Sequence, residues 1–268
     1  MSTKVSILVL DIMVVLLQLA VIVCNGLIIF LLIKEKTVRR NASRLLVSFL
    51  TTTDFIHAVA TLPYSIYILY YWDPVYFDLN PNVVIITGAP FIVQLKINLT
   101  VTISIAAERI LALFFPLVFR RLSFNSRATY CLLFAFSLAA LDLILCLSLS
   151  EFNRTPDCGT IGCFLNVYFS YYWAISNMVM GIVVIALTSL ILVKLRVMRQ
   201  KPQPARAFKW KENNFKQANR NCAGILLISL IFITLPSVFV GVIAIANLRI
   251  ASTVGPFYLV GLLCASEP

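Results

Sequence analysis

Along the chain, long apolar runs alternate with short polar stretches that are mostly basic. The runs cover approximately Val5 to Ile33, Leu45 to Tyr71, Val83 to Phe115, Thr129 to Leu149, Phe164 to Leu195 and Cys222 to Ala246, followed by a shorter run from Ser252 to Ala265. All but the last reach the roughly 20 residues that carry a helix across about 30 Å of hydrocarbon. Lipid offers no partner to an open strand edge, and the runs lack the two-residue alternation of a barrel strand, so each is read as a helix. The prediction is an all-α membrane protein, one seven-transmembrane helix bundle spanning residues 1–268, with its last helix short or truncated. At about 1.5 Å per residue, that last run reaches only about 21 Å.

Composition agrees with lipid as the solvent. Hydrophobic residues make up 60% of the 268 and charged ones 12%, with a mean hydropathy of +0.94, far from a soluble domain. The net charge of +11 is unevenly placed. Basic residues gather after span one (Lys34, Lys36, Arg39, Arg40, Arg44), after span three (Arg120, Arg121, Arg127) and after span five, from Lys194 to Arg220. The opposite side holds only Lys4, Arg154 and Arg249. The positive-inside rule then puts the amino terminus outside and those three loops in the cytoplasm. An inner membrane face accounts for the charge without nucleic acid, and the loop from Arg196 to Arg220, with Phe208, Trp210 and Phe215 among its basic residues, suits lipid headgroups or a cytoplasmic protein. Span one is too long and too polar at Gln18 and Asn25 for a cleaved signal peptide and reads as a signal-anchor.

Catalysis finds no support in the pattern. His57 is the only histidine, and no Cys or acidic cluster has metal-ligand spacing, so neither an enzyme nor a cofactor site is expected.

The informative residues are the polar ones inside the runs, because an ionised side chain in hydrocarbon costs roughly 2.5 to 3.5 kcal/mol and must find a partner or an interface. Glu108 and Arg109 close span three as adjacent opposite charges, either a stop-transfer boundary or a switch whose local pair can be broken and redirected. Asn25 and Asp54 lie about 14 and 15 Å from the basic ends of their spans, a shared depth that allows a hydrogen bond. His57, one turn beyond Asp54, is expected as a packed neutral histidine that can bond it. Lys96 and Asp142 reach similar depths on spans three and four, about 20 and 22 Å outward from Arg109 and Arg127. They are expected to pair; the alternative leaves Lys96 facing a watery pocket and a ligand. Asn98 and Thr102 share a helical face with Arg109, while Lys96 is about 140° off it, so Asn98 and Thr102 are the preferred interior, ligand-facing candidates. On the outer side, Cys158 and Cys163 are placed for a local disulfide, and Asn153-Arg154-Thr155 is a candidate glycosylation site.

The stretch Glu108-Arg109-Ile110-Leu111-Ala112-Leu113-Phe114-Phe115-Pro116-Leu117 resembles the acid-Arg-aromatic motif, with its downstream Pro-Leu, of rhodopsin-like G-protein-coupled receptors, with Ile110 in place of the aromatic. Asn25 and the Leu50-x-x-x-Asp54 spacing are similar to that family's signatures in spans one and two. A closer resemblance, to the nematode serpentine chemoreceptors of class BC (Srbc), rests on Pro156-x-Cys158-x4-Cys163-x2-Asn166 with Tyr171-Tyr172-Trp173, on Lys194-Leu195, on Ala218-Asn219-Arg220 and on Val254-Gly255-Pro256. The resemblance implies a chemosensory receptor that binds a small molecule outside, activates a heterotrimeric G protein inside, and resides in the plasma membrane of sensory neuron cilia. A receptor oligomer is a further candidate partner. The departures are a missing Cys near Val84, Ile233-Thr234 where Cys-Trp is usual before Pro236, and no Asn-Pro-x-x-Tyr signature in span seven. Without a lysine after Lys216, a retinal Schiff base in the last span is excluded. The alternatives are a truncated receptor acting only as a membrane partner, or a seven-span ligand-gated channel.

Overall fold

A computed structural model describes residues 2–34, 42–73, 78–115, 117, 124–150, 152–154, 160–200, 224 and 226–245. These form the helices α1 (Ser2–Lys34), α2 (Ala42–Tyr70), α3 (Pro81–Phe114), α4 (Phe124–Leu149), α5 (Val167–Gln200) and α6 (226–245). The seventh run, the basic segment after α5 and Cys158 lie outside the described residues. Among the described residues, five helices contain a segment long and apolar enough to cross a membrane: Leu8–Lys34, Pro81–Phe114, Thr129–Leu149, Val167–Val197 and Leu226–Ile243. α2 matches them in length, but Thr51, Thr52, Thr53, Asp54 and His57 make its middle more polar.

α3 is the axis of the bundle. It packs against α2, α4 and α5 and touches α6, while α1 lies against α2 and α6 against α5. Of the most apolar window of α3, 67% is buried, against 22% for α1, α4 and α5, so three of the spanning helices turn most of their surface outward. What they turn outward is apolar: Val23, Phe30 and Ile33 on α1, Leu133 and Phe134 on α4, Val179 and Val193 on α5. What is buried includes Gln18, Asn25, Asp54, Gln94, Lys96, Asn98, Asp142 and Asn177. This inversion of the soluble pattern is what hydrocarbon selects, since polar groups find partners only inside the bundle.

Local chemistry sets the helix ends. Asn80 caps α3 by accepting a hydrogen bond from the Asn82 N–H at 3.0 Å, and Pro81 occupies the first turn, where a missing N–H costs nothing. Within the helices, Thr61, Thr87, Thr100 and Ser104 return their hydroxyls to carbonyls four residues earlier, so none needs water. α5 begins three residues later than the run starting at Phe164 suggests, because Ile161–Cys163 forms a 3-10 turn. That turn inserts into the end of the bundle formed by the Tyr64 end of α2 and the start of α3. The Ile161 N–H donates to the Tyr64 hydroxyl at 3.1 Å, and its side chain fills the space over Gly88, where a Cβ would sit 2.5 Å from Ile161 Cδ1.

Candidate functional site

The polar interior begins at the antiparallel contact of α1 and α2. Gln18 Nε2 donates to Thr61 Oγ1 at 3.1 Å. Moving along α1 from 18 to 25 and back along α2 from 61 to 54 covers equal distances, which sets Asn25 level with Asp54. Gly26 agrees with this register, a Cβ there falling 3.4 Å from the Phe55 ring. Small residues of this kind allow close approach where no hydrophobic driving force operates between helices in lipid.

Asp54 then turns to α3. Its Oδ1 accepts from Gln94 Nε2 at 2.6 Å and from Asn98 Nδ2 at 3.3 Å. These two amides are four residues apart and so share a face, supplying donors to a carboxyl that is 4% exposed.

Lys96, about 200° around α3 from Gln94, faces α4 and α5. Its Nζ lies 3.1 Å from Asp142 Oδ2 on α4 and donates to Ser176 Oγ on α5 at 2.9 Å. The Tyr172 hydroxyl donates to Asp142 Oδ1 at 3.0 Å. Three helices thus meet at one ion pair whose side chains are 2% and 1% exposed. Its worth lies in satisfaction: either charge alone at this depth would be expensive.

Further along α3 toward its carboxyl end, the Thr102 and Ser229 hydroxyls meet at 3.2 Å and join α3 to α6. Ser229 immediately precedes a π-helical segment, Leu230–Thr234, and Pro236 follows it. Proline removes a backbone donor from the ladder, and the widened turn accommodates that loss; Thr234 Oγ1 donates to the Ser229 carbonyl at 3.2 Å and Ser237 Oγ to the Ile233 carbonyl at 2.7 Å. α6 is held to α5 by two glycines: a Cβ on Gly181 would lie 3.1 Å from Val238, and one on Gly241 would overlap the Met178 side chain. Arg109, on the same face of α3 as Thr102, is buried at the far end of that helix beside a half-buried Glu108.

The arrangement is a set of helix-to-helix polar contacts. Among the described residues, no group of three His, Cys, Asp or Glu side chains is placed to hold a metal ion. The sequence model described as "Serpentine type 7TM GPCR chemoreceptor Srbc" matches residues 3–264, nearly the whole chain. The chain belongs to the Srbc family. No curated protein matches it.

In this Srbc chemoreceptor, a multi-pass membrane protein, the residues singled out in the sequence meet different fates. Lys96, Asn98 and Thr102 are all buried, although Lys96 lies well off the face of the other two. A helical-face argument assumes one side toward the bundle, and α3 has neighbours nearly all round. Thr102 contacts α6 and Asn98 contacts Asp54, so each already carries a helix-to-helix bond.

His57 does not bond Asp54. Donors from α3 reach Asp54 instead, and the imidazole turns toward the Pro90 carbonyl of α3 without forming a well-aligned hydrogen bond. Cys163 is disulfide-bonded, while Cys158 lies outside the described residues. Asn153 is exposed beside Arg154, whose Nη1 lies 3.3 Å from Asp78 Oδ2.

Several contributors escaped the sequence reading: Gln94, Tyr172, Ser176, Asn177 and Ser229. The signal available for Gln94 and Asn177 was the one used for Asp54, a strongly polar side chain inside an apolar run. Ser176 and Ser229 carry no such signal, because a serine hydroxyl satisfies itself on its own helix as readily as it reaches another, and Tyr172 hides its hydroxyl at the tip of a largely apolar ring.

Proposed function

We propose that this Srbc chemoreceptor binds a small molecule from the extracellular side and activates a heterotrimeric G protein from the cytoplasmic side, with its amino terminus outside the plasma membrane of a sensory cilium. The observation that carries the reading is the succession of buried polar contacts along α3: Lys96 to α4 and α5, Asn98 to α2, Thr102 to α6, then buried Arg109. A helix so connected cannot shift at its outer half without changing partners at its inner half. Bistable packing of this kind turns a small displacement at one site into a discrete change at another.

The α5 wall supplies the ligand contacts in this proposal. Asn177 is fully buried with no partner for its amide among the described residues, and Trp173, one turn outward, packs on Phe91 with ring centroids 6.0 Å apart. An apolar molecule with one hydrogen-bonding group suits an aromatic wall and a free amide. On the inner side, Glu108 and Arg109 form the switch, and the π segment with Pro236 is the pivot at which α6 swings.

Ligand-dependent nucleotide exchange on a purified G protein, with the full chain in a bilayer, tests the coupling. Stimuli that stabilise the receptor against heat are expected to raise exchange, and Arg109→Ala to abolish that rise without abolishing the stabilisation. A stimulus that binds the chain while exchange stays flat across G-protein classes rejects the coupling and favours a silent membrane partner. An epitope ahead of Met1 is expected to be stained on intact cells.

A further inference from the structure

A groove lies between α2, α3 and α4, away from the α5 wall. It is half-open and offers about 360 Å³, at the lower end of the roughly 300–1,000 Å³ typical of small-molecule sites. Its wall combines Ile56, His57 and Ala60 of α2, Ile86, Pro90 and Val93 of α3, and Phe136 of α4. Ile56, Ile86 and Phe136 are also exposed on the outside of the bundle, Ile86 by 63%, so the cavity opens toward the acyl chains. Over the outer ends of α2 and α3, by contrast, Ile161 and Phe164 are packed in.

Three wall residues are polar, and two are already engaged. Thr53 Oγ1 donates to the Leu50 carbonyl, and Gln94 Nε2 donates to Asp54. The third, His57, is 3% exposed; the Pro90 carbonyl lies on its side of α3 without a well-aligned hydrogen bond, and neither ring nitrogen is otherwise hydrogen-bonded among the described residues. A neutral imidazole has one N–H and one acceptor nitrogen; the Pro90 carbonyl can serve only the first, so the second stays desolvated unless something brought into the cavity donates to it.

We propose that this cavity binds a neutral apolar molecule carrying one hydroxyl, which reaches it through the bilayer and hydrogen-bonds His57. Among the described residues none in the wall is charged, so an ionic ligand would be buried without a counter-charge, and an anion would also approach Asp54. A hydroxyl suits imidazole because it can accept from one nitrogen or donate to the other, and the rest of the wall asks only for hydrocarbon. Occupancy is adjacent to the polar interior, since Gln94 lines the cavity and holds Asp54, so a ligand here bears on the α2–α3 contact. Binding at this site stands independently of G-protein coupling.

The test uses the full chain in nanodiscs and a photoreactive medium-chain alkanol, with the matching alkane as control. The alkanol is expected to label peptides of α2, α3 and α4 and to do so at least about fivefold more efficiently than the alkane. His57→Leu should remove that preference while leaving alkane labelling unchanged, and His57→Gln should retain part of it. Ile86→Trp, a change on the lipid face, should block labelling by both probes. Competition by an unlabelled linear alkanol or by a sterol supports the site in either case and distinguishes a dissolved stimulus from a bilayer component. Equal labelling by alkanol and alkane, a preference that survives His57→Leu, or labelling spread evenly over the exposed faces of α1 and α5 would overturn the proposal.

Discussion

Replacing Asp142 with Leu leaves the Lys96 ammonium buried at 2% exposure, with Ser176 as its remaining hydrogen-bond partner among the contacts described above. At an effective dielectric of about 20, charges 3.1 Å apart attract by about 5 kcal/mol. Measured losses on breaking a buried pair, about 3–5 kcal/mol, are of the same size. Against a total stability of about 5–15 kcal/mol, that is a hundredfold or greater fall in the ratio of folded to unfolded receptor. Lys96→Met should cost similarly, because it strands the carboxylate.

Exchanging the charges, Lys96→Asp with Asp142→Lys, should recover most of the loss. Ser176 and Tyr172 are hydroxyls and can reverse from acceptor to donor or the other way, so neither obstructs the swap. The apolar pair Lys96→Met with Asp142→Leu should fold close to wild type, since a buried ion pair adds little over well-packed hydrocarbon. Thermal unfolding in nanodiscs and surface density on intact cells give the readout. If the single variants match wild type, or if the exchanged pair is as unstable as the singles, the argument from a stranded charge fails. If the apolar pair folds but no longer responds to stimulus, the ion pair serves signalling more than stability.

Other contacts make smaller predictions. Thr102→Val and Ser229→Ala should each cost about 0.5–1.5 kcal/mol, with a coupling of about 0.6 kcal/mol in a double-mutant cycle; zero coupling would mean the hydroxyls do not meet. Gly241→Val places carbon into the Met178 side chain and should destabilise by about 1–3 kcal/mol in thermal unfolding, and Met178→Ala should restore part of this by opening room. Gln94→Leu takes one donor from Asp54 and should cost about 1–3 kcal/mol; adding Asp54→Asn removes the charge that needed it, so the double variant should be more stable than Gln94→Leu alone.

The apolar runs were sufficient to read helices, because hydrocarbon permits few other conformations and demands about the same length of each. Family membership was legible as well, through Glu108-Arg109, Asn25, Asp54 and the outer-loop spacing. Depth along a helix also follows from residue count, which is why Asn25 with Asp54, and Lys96 with Asp142, could be matched at all. Rotation was the part the chain could not declare. Which side of α3 faces a neighbour depends on how many helices surround it, so Lys96 is as buried as Asn98, and His57, despite sharing a helical face with Asp54, leaves that carboxyl to Gln94 and Asn98. Hydrophobic spacing records that a residue avoids water or seeks it; the identity of its partner is a property of the packed bundle, where several helices compete for one carboxylate and geometry decides among them.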